Sequence, residues 1–221
     1  MSENPAAIIV AGGPPPPVAW ARPLLERASL VFCADSGLHL CLACGLQPDM
    51  LVGDLDSVGP EQLARLPQPR YGVEHHRSDK DESDLDLTLR ALARYWQGPV
   101  DILAALGGRL DHALFNLCAV LFQGRQLGLR VRLLEPDTVV YPLEDEPLEL
   151  VDLSGATCSI LPLGSPLEGV HLEGFRYPLR GEPLGHRQTR GLSNQIESST
   201  ARIRARSGQA LVVVTKNYVP C

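Results

Sequence analysis

The sequence lacks a long hydrophobic run. No stretch of about 18 apolar residues, enough to cross a bilayer as a helix, occurs in its 221 residues. The N-terminus also lacks the basic-then-apolar pattern of a secretory leader, so a cytoplasmic protein without a membrane partner is expected. Positive charge is short: 20 Lys and Arg stand against 26 Asp and Glu, a net charge of -6. That balance excludes a nucleic-acid partner held by bulk electrostatics. It suits a site that recruits metal cations. Cysteine is sparse, with six residues at 33, 41, 44, 118, 158 and 221. Cys41 and Cys44 form a C-x-x-C, but no second pair completes four zinc ligands. They lie in the apolar run Leu38–Cys44, which reads as a buried helix, so they are expected to pack as small core residues. His39 in that run reads as a packing or surface residue rather than a ligand. No internal repeat is present. What remains, 44% hydrophobic and 21% charged, is the composition of a globular protein with room for one large domain or two modest ones.

The chain centres on Pro48-Asp49-Met50-Leu51-Val52-Gly53-Asp54-Leu55-Asp56-Ser57. Its short apolar run, bounded by turn residues, reads as a buried strand. Two carboxylates, Asp54 and Asp56, follow at its end. In an extended segment residues two apart face the same side, so both acids are expected to converge on one hard cation. Gly53 is expected to keep side-chain bulk away from an approaching ligand. Before this stretch, Ala6–Val10 reads as a strand running into Gly12-Gly13 and the prolines Pro14 to Pro17, which form a stiff loop. The pair Gly12-Gly13 fits neither G-x-G-x-x-G nor G-x-x-x-x-G-K-[ST], so its phosphate-binding signal is weak. A helix over 18–28 and a strand over 29–34 follow, the latter ending in Asp35.

After the central stretch, a short helix over 60–66 and a strand over 73–76 are expected. The acidic run Asp79-Lys80-Asp81-Glu82-Ser83-Asp84-Leu85-Asp86 then opens a helix to about Trp96. Ser83 or Asp81 would cap it, and acids complement the dipole. Four acids and a lysine exceed what capping needs. Val100–Leu106 is a strand ending in Gly107-Gly108-Arg109-Leu110-Asp111-His112, followed by a helix to about Gln123 and a strand over 129–134. Alternating strands and helices predict an α/β fold with a Rossmann-like, mainly parallel sheet and helices on both faces over residues 1–135. Its strand ends would gather Asp35, Asp54, Asp56, the 79–86 acids and Arg109 on one rim. Over 136–221 the pattern becomes short β runs at 138–141, 148–151, 157–161, 169–172, 202–205 and 210–215, which predict an antiparallel β-sandwich domain. The arginines at 202, 204 and 206 are expected on a solvent face.

Such a set of carboxylates, lysine and arginine suits metal-assisted phosphoryl-type transfer, where positioning and charge neutralisation carry most of the catalysis. Arg109 offers a planar fork for phosphate and Lys80 a compact charge. The motifs GDLDS at 53–57, DKDESDLD at 79–86, GGRLDH at 107–112 and GLSN at 191–194 together resemble the thiamine pyrophosphokinase family. Their order and spacing fit it, and the likeness spans nearly the whole chain. The resemblance implies a homodimer whose active site lies near the subunit interface. It implies that Mg²⁺ assists transfer of the terminal diphosphate of ATP to the hydroxyl of thiamine, giving thiamine diphosphate and AMP. Carried over by position, Asp54, Asp56 and Asp84 would hold Mg²⁺, with Asp81 beside them. Asp35, Lys80, Gly107, Gly108, Arg109, Asp111 and His112 would line ATP. Ser193 and Asn194 would meet thiamine.

The sequence departs from the family pattern at several places. Ser36 separates Asp35 from Gly37, and Ser83 and Asp86 replace a common threonine and glutamate. Gln195 stands where a glutamate is usual. Both tryptophans, Trp20 and Trp96, precede the C-terminal half, so none is available there to stack on thiamine; Phe175, Tyr177 and Tyr218 are the alternatives, though each is expected to be a surface or core packing residue. Four rival readings remain: a D-x-D phosphatase with Asp54 as nucleophile and Asp56 as general acid, a D-x-D nucleotide-sugar transferase, a diphosphokinase for another heteroaromatic alcohol such as 6-hydroxymethylpterin, and a non-catalytic nucleotide or metal sensor. Neither the phosphatase nor the sugar-transferase reading accounts for GGRLDH or GLSN.

Overall fold

The structure, a computed structural model, describes residues 6–59, 61, 63 and 66–216. The chain divides into two compact units, Met1–Pro136 and Asp137–Cys221.

In the first unit, strands β1 (Ala7–Val10), β2 (Val31–Ala34), β3 (Met50–Gly53), β4 (Val73–His75), β5 (Gly98–Leu103) and β6 (Leu129–Leu134) form a parallel sheet in the order β4-β3-β2-β1-β5-β6. Strands β1, β2 and β3 are buried along their whole length, as expected where a parallel sheet is covered on both faces. This is why they read as continuous apolar runs without alternation. The order reverses beside β1: the chain builds outward through β2, β3 and β4, then returns to place β5 and β6 on the other side. Ligands in open α/β sheets bind outside the strand ends at such a reversal. Asp49 fixes the β2–β3 register, since its carboxylate accepts from the Val31 N–H at 2.8 Å while its own N–H donates to the Val31 carbonyl.

Helices α1 (Val18–Arg27), α2 (Leu38–Ala43), α3 (Asp84–Ala93), α4 (Leu110–Phe115) and α5 (Leu121–Gln126) accompany these strands. Leu38, Leu40 and Cys41 of α2 and Leu25 of α1 pack with Ile8, Val31, Leu51 and Leu103 in one apolar core. Cys41 and Cys44 are both buried there, as small core residues. The helix expected from Asp111 to Gln123 is present but changes pitch: a π-helical segment, Asn116–Val120, separates α4 from α5. The helix expected over 60–66 lies partly outside the described residues. No helix among the described residues is long and apolar enough to cross a membrane.

The second unit is built from β7 (Thr138–Leu143), β8 (Leu148–Val151), β9 (Thr157–Glu173), β10 (Leu179–Leu184), β11 (Asn194–Gln195), β12 (Thr200–Arg204) and β13 (Ser207–Thr215), with antiparallel pairing throughout. The two short strands expected at 157–161 and 169–172 are one strand of 17 residues, β9. It changes partners along its length. Thr157 to Leu163 pair with β13, which meets the strand once more at Glu168, whereas Leu167 to Glu173 pair chiefly with β10 and β12. Gly164 and Gly169, with φ of 67° and 60°, lie at this change and explain why the sequence looked interrupted. Leu150, Cys158, Leu167, Val170, Ile196, Ile203 and Val212 form its core. The exposed Arg202 of β12 pairs with Glu149 of β8, and Arg204 is also exposed.

Candidate active site

The carboxyl ends of β2 and β3 deliver Asp35, Asp54 and Asp56 to one place. Each offers a carboxylate oxygen lying within 4.8 Å of the others. The geometry differs from the extended pair expected. β3 ends at Gly53, and Leu55 turns into the left-handed region with φ of 61°, so the two acids meet around a turn rather than along a strand. Leu55 is itself buried and anchors that turn. Gly53 has a packing reason of its own: with φ of 152°, it lies where an added Cβ would come within 3.0 Å of the Asp35 Cβ, so it makes room for a neighbouring acid. Asp35 takes φ of 43°, and its Oδ1 is buried without a hydrogen-bond partner. An oxygen left so beside two further carboxylates is poised for a cation, and an all-oxygen donor set fits a hard ion such as Mg²⁺.

Lys80 crosses this cluster. Its Nζ lies 2.9 Å from Asp84 Oδ1 and 3.8 Å from Asp54 Oδ2, and the side chain is largely buried. Burial pushes the Asp54 carboxyl up, but hydrogen bonds from the Asp56 backbone N–H and Ser78, together with the Lys80 charge, outweigh it and hold the group below the ordinary aspartate value. Asp54 therefore stays ionised at neutral pH. Asp84 joins the cluster through Lys80 and begins α3, where Ser83 is the cap and accepts from the Asp86 N–H. The excess of acids in 79–86 has a local explanation in part. Asp79 pairs with Arg77 and Asp86 with Arg90, leaving Asp81 and Glu82 exposed.

Across the reversal, β5 ends in the loop carrying Gly107, Gly108 and Arg109. The loop after β1 meets it: Ala11 N–H donates to the Leu103 carbonyl, Gly13 N–H to the Ala104 carbonyl, and Pro14 packs beside Gly107 and Gly108. The weak Gly12-Gly13 signal thus lies at the site after all, supporting the stronger glycine motif. Arg109 is exposed and grips Asp111 through two bonds, Nε to Oδ1 at 3.2 Å and a second at 2.6 Å. That hydrogen bonding lowers the Asp111 carboxyl to about 2. His112 is exposed in the first turn of α4. Asn116 and Glu135, which sequence reasoning did not single out, also touch the β5 loop. Neither lies in a motif, so no local signal marks them.

In the second unit, Asn194 lines a cavity of about 260 Å³ together with Ile160, Tyr177, Leu184, Arg190 and Leu192 among others, and Ser193 is not among its lining residues. Asn194 uses its amide on the backbone, accepting from the Tyr177 and Gln195 N–H groups and donating to the Tyr177 carbonyl. It therefore shapes the wall that presents Tyr177. Ser193, at φ of 55°, donates its N–H to Ser159 and leaves its side chain exposed.

The class so defined is a two-unit α/β protein: a parallel sheet with an acidic, lysine-bridged site at its strand ends, followed by an antiparallel unit with an apolar cavity. Comparison with known proteins narrows it. Residues 21–133 match the family described as "Thiamin pyrophosphokinase, catalytic domain" and residues 144–209 that described as "Thiamin pyrophosphokinase, vitamin B1 binding domain". The chain is 25% identical to the thiamine pyrophosphokinase of Bacillus subtilis, covering 81% of this chain and 84% of that protein. It is 26% identical to thiamine pyrophosphokinase 1 of Oryza sativa subsp. japonica, covering 88% and 83% respectively. Among solved structures, the B. subtilis enzyme superposes with a TM-score of 0.82 at 24% identity, covering 96% of this chain and all of that one. The Candida albicans enzyme shares the fold at 14% identity, with a TM-score of 0.79 over 97% and 90% of the two chains. The chain belongs to the thiamin pyrophosphokinase family.

Proposed function

We propose that this protein transfers the terminal diphosphate of ATP to the hydroxyl of thiamine, producing thiamine diphosphate and AMP. The observation that carries the reading is the meeting of Asp35, Asp54 and Asp56 at the strand ends, bridged by Lys80 to Asp84, in a chain that matches both family domains. Asp35, Asp54 and Asp56 would hold Mg²⁺, which when bound supplies charge neutralisation for the phosphates. Lys80 is held by Asp54 and Asp84 so that its ammonium faces the same oxygen-rich space. Asp81, exposed beside them, adds negative potential that draws in the cation. Gly107 and Gly108 leave the loop backbone open to the phosphates, and Arg109 exchanges one of its bonds to Asp111 for a phosphate oxygen. His112 sits at the same rim. The thiamine hydroxyl attacks the β-phosphorus in line and releases its proton to solvent, the bond from the β-phosphorus to the bridging α-phosphate oxygen breaks, and AMP leaves with that oxygen.

Thiamine would bind in the cavity of the second unit, against Tyr177, Leu192 and Asn194, with Ser193 next to them in the chain. Tyr177 is 62% exposed and stands in for the missing tryptophan. The domains are a catalytic doubly wound α/β domain over 1–135 and a thiamine-binding, dimerising β-sandwich over 136–221. The functional protein is a cytoplasmic homodimer with its active sites near the subunit interface. The exposed apolar side chains of Leu110, Leu114 and Phe115 fit such an interface. Light scattering should give twice the 24.0 kDa chain mass; a monomer would remove that part of the proposal. The decisive assay supplies Mg²⁺ and ATP with and without thiamine. AMP should appear only with thiamine, and AMP released by 6-hydroxymethylpterin instead would move the substrate to the pterin class.

A further inference from the structure

The β5 loop has an unfavourable backbone that something must hold. Ala104, a non-glycine residue, takes φ of 56°, and Gly107 and Gly108 follow at 94° and 65°. A non-glycine residue in the left-handed region persists only where its surroundings fix it. Two side chains from elements on either side converge on the peptide groups between these positions. Asn116, at the start of the π-helical segment, donates its Nδ2 hydrogen to the Ala105 carbonyl at 2.8 Å. Glu135, the residue after β6, lies on the other side, where the Leu106 and Ala105 N–H groups hold its carboxyl down against the effect of burial. Burial pushes the Glu135 carboxyl up, those two N–H groups pull it part of the way back, and its Oε1 remains buried without a partner. A half-buried carboxylate with one oxygen left unpartnered is an expensive way to hold a loop for stability alone. The π segment points the same way, since such insertions cluster at functional sites.

We propose that Asn116 and Glu135 are positioning residues: Asn116 ties down the Ala105 carbonyl, Glu135 places negative charge on the N–H side of the same segment, and together they set Gly107, Gly108 and Arg109 in the conformation that receives the nucleotide phosphates. This rests on the reading of that loop as the phosphate-binding element. Neither side chain touches a reacting atom. Their effect therefore falls on ATP and not on thiamine.

The test uses the full-length protein and four variants: Asn116→Ala, Glu135→Gln, Glu135→Ala and the double variant Asn116→Ala/Glu135→Ala. Two readouts are taken, steady-state kinetics with each substrate varied and MgATP binding by calorimetry without thiamine. Asn116→Ala and Glu135→Ala should each raise the KM for ATP on the order of tenfold, with the KM for thiamine unchanged, since displacing a positioning loop is costly for the group it carries. Glu135→Gln, which keeps an acceptor, should fall between wild type and alanine. The double variant should lose less than the product of the single losses, because both act on one backbone segment. An unchanged KM for ATP, parallel rises for both substrates, or losses that simply follow the melting temperature would overturn the clamp. If the wild type binds MgATP but makes no thiamine diphosphate, the substrate reading fails while the clamp is still judged on MgATP affinity across the variants. If the wild type binds no MgATP, both readings fall.

Discussion

Arg109 and Asp111 lie two residues apart and are bonded through both guanidinium arms, with little burial around them. The pair holds the arginine at the rim of the loop before any phosphate arrives. Its electrostatic signature is measurable. The folded Asp111 carboxyl lies near 2, whereas an unfolded aspartate titrates near about 3.9. Because the folded value is depressed, the contribution to stability is complete above the unfolded value and is lost as pH falls through the folded one. Carboxyl carbon NMR should therefore find Asp111 ionised down to about pH 2 in wild type. In Arg109→Ala its midpoint should rise toward the unfolded value; an unmoved midpoint would show that the arginine is not the cause. Asp54 gives a second test. Asp54→Asn keeps the shape of the turn but removes a charge from the three-acid cluster, so turnover should fall by on the order of a hundredfold or more while circular dichroism is unchanged. Retained activity would remove Asp54 from the cation site. Thiol chemistry separates the cysteines. Cys118 is exposed, whereas Cys33, Cys41, Cys44 and Cys158 are buried, and burial raises Cys158 to about 12. Alkylation at neutral pH should label Cys118 ahead of those four in a peptide map.

At the scale of elements, the first unit was legible because buried parallel strands and amphipathic helices leave clean marks. The runs ending at Val10, Ala34, Val52 and Leu103 have few polar interruptions, and each ends at a turn that matters to the site. The second unit was less legible for a physical reason. Strand β9 carries prolines and glycines through the bend at which it changes partners, so local pattern split it into two. Strand β10 has only its end residues buried, and β11 is two residues long, so neither offers a periodicity to read. A close approach between elements was also invisible. Gly37 begins the descent into α2 directly against β1: a Cβ there would stand 2.1 Å from the Val10 carbonyl oxygen, and no side-chain rotation relieves a clash with backbone. Gly37→Ala should therefore destabilise the protein by roughly 1–3 kcal/mol in urea unfolding. Because Asp35 lies in the same turn, it should weaken activity as well. A variant as stable as wild type would contradict this packing.

For the molecule as a whole, the sequence carried the family and most of the acidic rim, since order and spacing of four motifs are a long-range signal that needs no coordinates. It did not carry how the rim is assembled. The turn at Leu55, the approach of an Asp35 oxygen to within 4.8 Å of Asp54 and Asp56, and the bridge from Asp84 through Lys80 are details of packing at the strand ends that motif order cannot give. The same holds for Asn116 and Glu135, whose meaning appears only once β5, β6 and α4 have been assembled. The central claim is that this acidic rim drives transfer of an intact diphosphate to thiamine. Phosphorus NMR of a reaction containing the protein, Mg²⁺, ATP and thiamine tests it most directly. AMP and thiamine diphosphate should grow in equal amounts with no ADP. Formation of ADP with thiamine monophosphate, or release of free phosphate with thiamine unchanged, would contradict the account.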